Sequence, residues 1–167
     1  MSGTKSKNKG KTYERDVANF LTEMYQESFT RVPHSGAYIG GQNFVRIDNL
    51  SEGQTRGFKG DIIPPDSFPL LVIEAKHYGE FRWNHLALGQ NVKQLDDWIQ
   101  QAIDSAEDKD KWFLCVKITR QGEFVLWDPK RWNSLKYKQK YKKYHYIDYN
   151  TFWEQNKDAV KQQSNSG

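Results

Sequence analysis

Tyr13, Val17, Phe20, Leu21 and Met24 recur at helical spacing, so residues 12–25 predict an amphipathic helix with Thr12 available as its N-cap. A short strand is expected over 29–32. Residues 33–60 then carry glycines at 36, 40, 41, 53, 57 and 60, a stretch too long for an ordinary connection and therefore functional or mobile in character. Residues 61–63 read as a strand, Pro64-Pro65-Asp66-Ser67 as a turn, and 70–75 as an unbroken apolar strand of the kind buried at a sheet centre. Together they predict a hairpin. Leu88, Val92, Leu95, Ile99, Ala102, Ile103 and Ala106 return to the helical period and end in the acidic run 104–110. Strands over 112–118 and 123–127 flank a Gln121-Gly122 turn, another is expected over 144–149, and 151–160 suits a short terminal helix. This order gives an α/β or α+β domain.

Composition supports one folded unit. At 167 residues the chain closes a single core, and its 9 Phe, 9 Tyr and 6 Trp supply the large apolar side chains that disordered chains lack, despite a mean hydropathy of −0.91. Residues 1–11 are expected as a flexible basic tail and 12–161 as the domain, with a core of about 12–118 and an extension over 119–161. Residues 162–167 are expected as a disordered tail. Cys115 stands alone, so no intrachain disulfide forms, and one Cys with four His offers no zinc-finger spacing. It falls in an apolar strand, as an inert buried thiol would. The tryptophans are core or dimer candidates. With no apolar leader and no run of about 18 apolar residues, the expected location is the cytoplasm or nucleoid, or a host cytoplasm for a viral protein, away from membranes.

The net charge of +4 is concentrated. Lys5, Lys7, Lys9 and Lys11 form one acid-free segment, and Lys136, Lys138, Lys140, Lys142 and Lys143 another; without them the rest of the chain is net acidic. Local positive potential suits a polyanion such as nucleic acid, and a solubilising tail with a solvated lysine face is the other reading. In 136–146 the lysines alternate with tyrosines. As a strand this segment neutralises phosphates and stacks on bases through Lys138, Lys140 and Lys142, or protects a sheet edge while its tyrosines pack inward.

Chemistry centres on Asp61 and Glu74-Ala75-Lys76. In a strand, residues two apart share a face, so Glu74 and Lys76 project together, and a hairpin partner brings Asp61 beside Glu74. Two carboxylates suit Mg²⁺ or Mn²⁺, and a neighbouring lysine orients a water or stabilises developing charge, which outlines phosphodiester hydrolysis. The plainer alternative is a strand end whose Glu and Lys merely pair. Glu14, at the margin of the first helix's apolar stripe, either joins this site or pairs on the surface with Lys11 or Arg15. His34 either reaches a phosphate or is an ordinary loop residue. His77 points to the opposite strand face and stays outside the site.

Four motifs resemble the PD-(D/E)XK nuclease superfamily and, within it, the archaeal-type Holliday junction resolvases, which have relatives among viral and bacterial nucleases. Lys9-Gly10 with Glu14-Arg15 is similar to a K-G-x-x-x-E-R helix, and Arg31 to Gly36 to an R-x-P-x-S-G segment. Gly60-Asp61 stands at the P-D step, and Glu74-Ala75-Lys76 is the (D/E)-x-K triplet. The resemblance covers about residues 9–118. It implies a restriction-endonuclease-like α/β core with a central mixed β-sheet flanked by helices, to which this chain adds a β-rich, basic and aromatic C-terminal extension. It implies a Mg²⁺-dependent endodeoxyribonuclease, Mn²⁺ substituting, with metal held by Glu14, Asp61, Glu74 and the backbone carbonyl of Ala75. Lys76 would assist the attacking water, and Ser35 and Arg31 would lie near the scissile phosphate. Lys9, Lys11 and Arg15 join them on DNA. The implied substrate is branched DNA bound by a homodimer, since a four-way junction is nearly two-fold symmetric. Gly replaces Pro before Asp61, a change expected to be harmless, and the segment 35–61 is longer than in the archaeal enzymes. A restriction-like or end-processing nuclease, or a noncatalytic DNA-binding or nuclease-antagonist protein on the same fold, are the alternatives.

Overall fold

The computed structural model describes residues 2–33 and 59–165. In chain order the elements are α1 (Ser2–Tyr25), β1 (Thr30–Arg31), β2 (Ile62–Ile63), β3 (Leu71–Tyr78), α2 (Trp83–Ala87), α3 (Lys93–Ser105), β4 (Lys111–Ile118), β5 (Gly122–Trp127), β6 (Gln139–Tyr141), β7 (Tyr144–Asp148) and α4 (Tyr149–Asn165). Five strands form one mixed sheet in the order β3-β4-β5-β7-β6; β3 and β4 are parallel and every other pair is antiparallel.

Alternation along the strands sorts the core into two layers. Leu71, Ile73 and Ala75 of β3, with Phe113 and Cys115 of β4, pack against Tyr13, Val17 and Leu21 of α1 and Phe152 and Trp153 of α4. Val72 of β3, with Trp112, Leu114, Val116 and Ile118 of β4, packs against Leu95, Trp98 and Ile99 of α3. Helices on both faces explain why 71–73 of β3 and 112–116 of β4 read as apolar runs, since neither face meets water there. The result is an α/β fold with a mixed central sheet flanked by helices, as expected. Cys115 is fully buried, and its thiol is pushed well up by that burial. Trp98, Trp112, Trp127, Trp132 and Trp153 are all core residues.

Several expectations need correction. The first helix begins at Ser2, so Thr12 lies within it and caps nothing, and the segment expected as a tail is helical. β3 lies at an edge of the sheet, not its centre. β2 pairs with β1 (Thr30 with Ile63, Arg31 with Ile62) and makes no hairpin with β3. Pro64 and Pro65 have no N–H to donate, so the chain leaving β2 cannot propagate a ladder toward β3. Leu88 caps the C-terminus of α2 with its side chain exposed, and Gly89 at φ +72° separates it from α3. The 136–146 segment is not one strand: Lys142 turns at φ +53° between β6 and β7, so its lysines do not line a single face. Residues 162–165 belong to α4, where Ser164 is buried and its carbonyl accepts the Leu70 N–H at 3.1 Å.

Candidate active site

Asp61 is fixed by its backbone before its side chain does anything. Its N–H donates to the Ile73 carbonyl at 2.7 Å, and its own carbonyl accepts the Val32 N–H at 2.9 Å, so residue 61 bridges β3 to the β1–β2 ladder. The preceding Gly60 makes that approach possible. It sits at φ +73°, and a Cβ there would fall 2.6 Å from the Ile73 carbonyl oxygen. Proline, locked near φ −65°, could not occupy the position, so the exchange of Pro for Gly is a requirement of this geometry and not a neutral substitution.

The side chains then converge. Asp61 Oδ2 accepts the Ala75 N–H at 2.8 Å, which sets its carboxylate beside that of Glu74, and each residue is only 7% exposed. Burial, reinforced by the adjacent Asp61 charge and hydrogen bond, pushes the Glu74 carboxyl up to about 8. The Ser105 hydroxyl, donating to Glu74 Oε1 at 2.7 Å, and the charge of Lys76 work in the opposite direction. Lys76 follows Glu74 on the same strand face and is half-buried. Ser105 was not foreseen. It closes the last turn of α3, and sequence offered no signal beyond a hydroxyl at the end of an amphipathic helix.

These groups fit a hard divalent cation. Two carboxylates in contact repel when both ionise, and a cation between them removes that penalty. Magnesium commonly takes one or two protein carboxylates and completes its shell with water and phosphate. In an extended strand the N–H and C=O of one residue face the same edge, so the Ala75 carbonyl opens toward the side on which its N–H meets Asp61. The arrangement is a pair: among the described residues no three His, Cys, Asp or Glu side chains gather at one point. Glu14, buried on α1, lies in an ion pair with Arg31, its Oε2 accepting from Arg31 Nε at 2.6 Å. It pairs with neither Lys11 nor Arg15 in any described contact. Ser35 and His34 lie outside the described residues.

The remaining candidate contacts are dispersed. Lys9 Nζ donates to Thr119 Oγ1 at 3.2 Å, and His77 meets the same hydroxyl at 3.1 Å on the strand face away from Glu74. Lys11 and Arg15 are exposed on α1, and Lys138 and Lys140 are exposed beside or within β6. Lys142 is paired with Asp96 at 3.0 Å.

A mixed sheet covered by helices, with Glu74 and Lys76 on one face of the edge strand β3 and Asp61 held beside them by hydrogen bonds to that strand, has the form of a PD-(D/E)XK nuclease fold. The chain belongs to the family described as "Phage putative PDDEXK endonuclease", whose model matches residues 5–164. That match runs past residue 118 through β5, β6 and β7 and into α4. No curated protein and no solved structure matches the chain. No described helix is long and apolar enough to cross a membrane.

Proposed function

We propose that the protein is a Mg²⁺-dependent DNA endonuclease that hydrolyses phosphodiesters at the corner formed by Asp61, Glu74 and Lys76, with branched DNA as its preferred substrate. The observation that carries the chemistry is the buried contact between Asp61 and Glu74. Burying two acids together is costly, and a nuclease family gives that cost a use.

When bound, Mg²⁺ or Mn²⁺ would supply a Lewis acid for the phosphate and lower the pKa of a water. Asp61, Glu74 and the Ala75 carbonyl would hold it, with Ser105 orienting Glu74. Lys76 orients the attacking water and balances charge developing on the phosphate oxygens. Glu14 remains in this reading as a third candidate carboxylate, carried over from the family resemblance and held by its ion pair with Arg31. Lys9, Lys11, Arg15, Lys138 and Lys140 supply phosphate contacts at a distance from the reaction.

The preference for four-way junctions, and the homodimer that would cut them in pairs, rest on the K-G-x-x-x-E-R and R-x-P-x-S-G resemblances. The test compares cleavage of synthetic junctions, flaps, linear duplex and single strands in Mg²⁺ and in chelator, with light scattering for the oligomeric state. A dimer that cuts junctions first supports the full reading. A monomer cutting duplex and junction equally moves the protein to a restriction-like or end-processing role, and failure to cut any of them in Mg²⁺ or Mn²⁺ removes the enzymatic reading.

A further inference from the structure

We infer that Tyr78 is a stacking platform for an unpaired nucleobase next to the cut, so that the enzyme prefers DNA opened at that point over intact duplex. The inference rests on the assignment of the cutting site to Asp61 and Glu74. Strand alternation puts residues 74, 76 and 78 on one face, so the phenol ring follows the two site residues on their own side, about 7 Å beyond Lys76 along β3. Tyr78 is 40% exposed. Among the described residues the other exposed large apolar side chains are Leu88, in a turn, and Tyr137, at the far edge of the sheet and stacked on His145.

Exposure alone would mean little, but this ring is held. Tyr78 stacks on Trp98 with centroids 4.9 Å apart and planes 28° from parallel. Trp98 is buried in α3 and stacks in turn with Phe81 at 5.9 Å and 13°. The Thr119 N–H fixes the Tyr78 carbonyl at 2.9 Å, pinning the backbone where β3 ends. An aromatic ring backed by a buried indole loses little freedom when a second ring lands on it, which is the condition for a productive stacking surface. A base inside a duplex has both faces covered by its neighbours, while an unpaired base at a branch, flap or single strand has a face to give. Such a platform discriminates by strand state and tolerates any sequence.

The test uses the full chain in Ca²⁺, so that binding is read without turnover, on flap, junction and single-stranded DNA against linear duplex of equal length. 2-Aminopurine beside the cut reports stacking directly. Tyr78→Ala is expected to weaken binding of opened DNA by about ten-fold or more, to relieve 2-aminopurine quenching, and to leave duplex affinity within about two-fold. Tyr78→Phe should behave as wild type, and Tyr78→Leu, which still covers Trp98 but has no π-face, should behave as Ala. Equal losses on duplex and opened DNA, no loss on either, or a Leu variant that binds like Phe would overturn the proposal. Asp61→Asn separates the two claims: normal cutting by that variant removes the site on which the proposal rests, whatever Tyr78 does in binding.

Discussion

The two edges of the five-stranded sheet carry charge in opposite ways. At the β3 edge, Asp61 and Glu74 are buried, in contact, and held by backbone and hydroxyl donors from β3 and α3. At the β6 edge, Lys138, Lys140, Lys142 and Lys143 are exposed, with Lys140 over the Tyr137 ring, Lys143 over Tyr144, and Lys142 on Asp96. Where water is excluded, each charge costs enough that its partners must be specified by the fold; where water remains, lysines exchange partners cheaply. On the proposed function the first edge would carry the chemistry, and the second would supply affinity and block strand addition.

The sharpest break between the edges lies in turnover. Asp61→Asn or Glu74→Gln keeps side-chain shape and removes charge, and is expected to lower cleavage by on the order of a thousand-fold while folding and DNA binding persist. Gel assays of cleavage, paired with anisotropy for binding, check this. Alanine at Lys138 and Lys140 should move binding and leave single-turnover cleavage at saturation nearly unchanged. Wild-type cutting by Asp61→Asn would erase the distinction between the edges.

Backbone cost comes next. Gly60 and Gly89 share the left-handed conformation, at φ +73° and +72°, but only Gly60 has a backbone carbonyl where a Cβ would go. Gly89→Ala should therefore cost only the conformational term of about 1–2 kcal/mol, and Gly60→Ala distinctly more. Chemical denaturation of both variants measures the difference. Equal losses would mean that Asp61 can reach Ala75 without the close approach of residue 60 to β3.

How much of this was readable in advance follows the same division. The helix within 88–106, the strands expected over 112–118 and 123–127, and the shared face of Glu74 and Lys76 were legible because period and burial determine them locally. The edge position of β3 was not, since apolar runs report coverage of both faces and say nothing about lateral neighbours. Nor was the β1–β2 pairing, which joins residues about thirty apart across a glycine-rich stretch. Asp61 was brought to Glu74 by the right proximity and the wrong connection: the expected hairpin is replaced by one backbone hydrogen bond to Ile73. Lys142 looked like any other lysine until the fold set Asp96 beside it.

The pH response of stability sharpens the electrostatic half of the comparison. Glu74 is raised from 4.5 to about 8, so between those values the folded protein holds a proton that the unfolded chain releases. Its stabilising contribution is full below about 4.5 and is lost as pH rises through about 8. Glu74→Gln cannot ionise. In chelator, the variant and wild type should unfold at similar temperatures at pH 5, while at pH 9 the variant should be the more stable by a few degrees. Parallel melting curves across that range would mean that Glu74 ionises without cost and that burial has not made this edge special.

The smallest effect separates lysines within the β6 edge. Lys140 lies over the Tyr137 ring with no carboxylate partner in any described contact, whereas Lys142 spends its charge on Asp96 and also lies over Tyr141. Counterion release depends on cations that reach phosphate, so Lys140→Ala should reduce the slope of log affinity against log salt by about 0.9 on duplex DNA. Lys142→Ala should reduce it by less, because leaving Asp96 for a phosphate exchanges one ion pair for another. That exposed pair is itself worth at most about 1 kcal/mol, so the expected difference is modest and needs slopes measured over a wide salt range. Asp96→Asn then provides the converse: freeing Lys142 should steepen the slope. Identical slopes for Lys140→Ala and Lys142→Ala would show that DNA competes Lys142 away from Asp96 without penalty, leaving the lysines of this edge interchangeable.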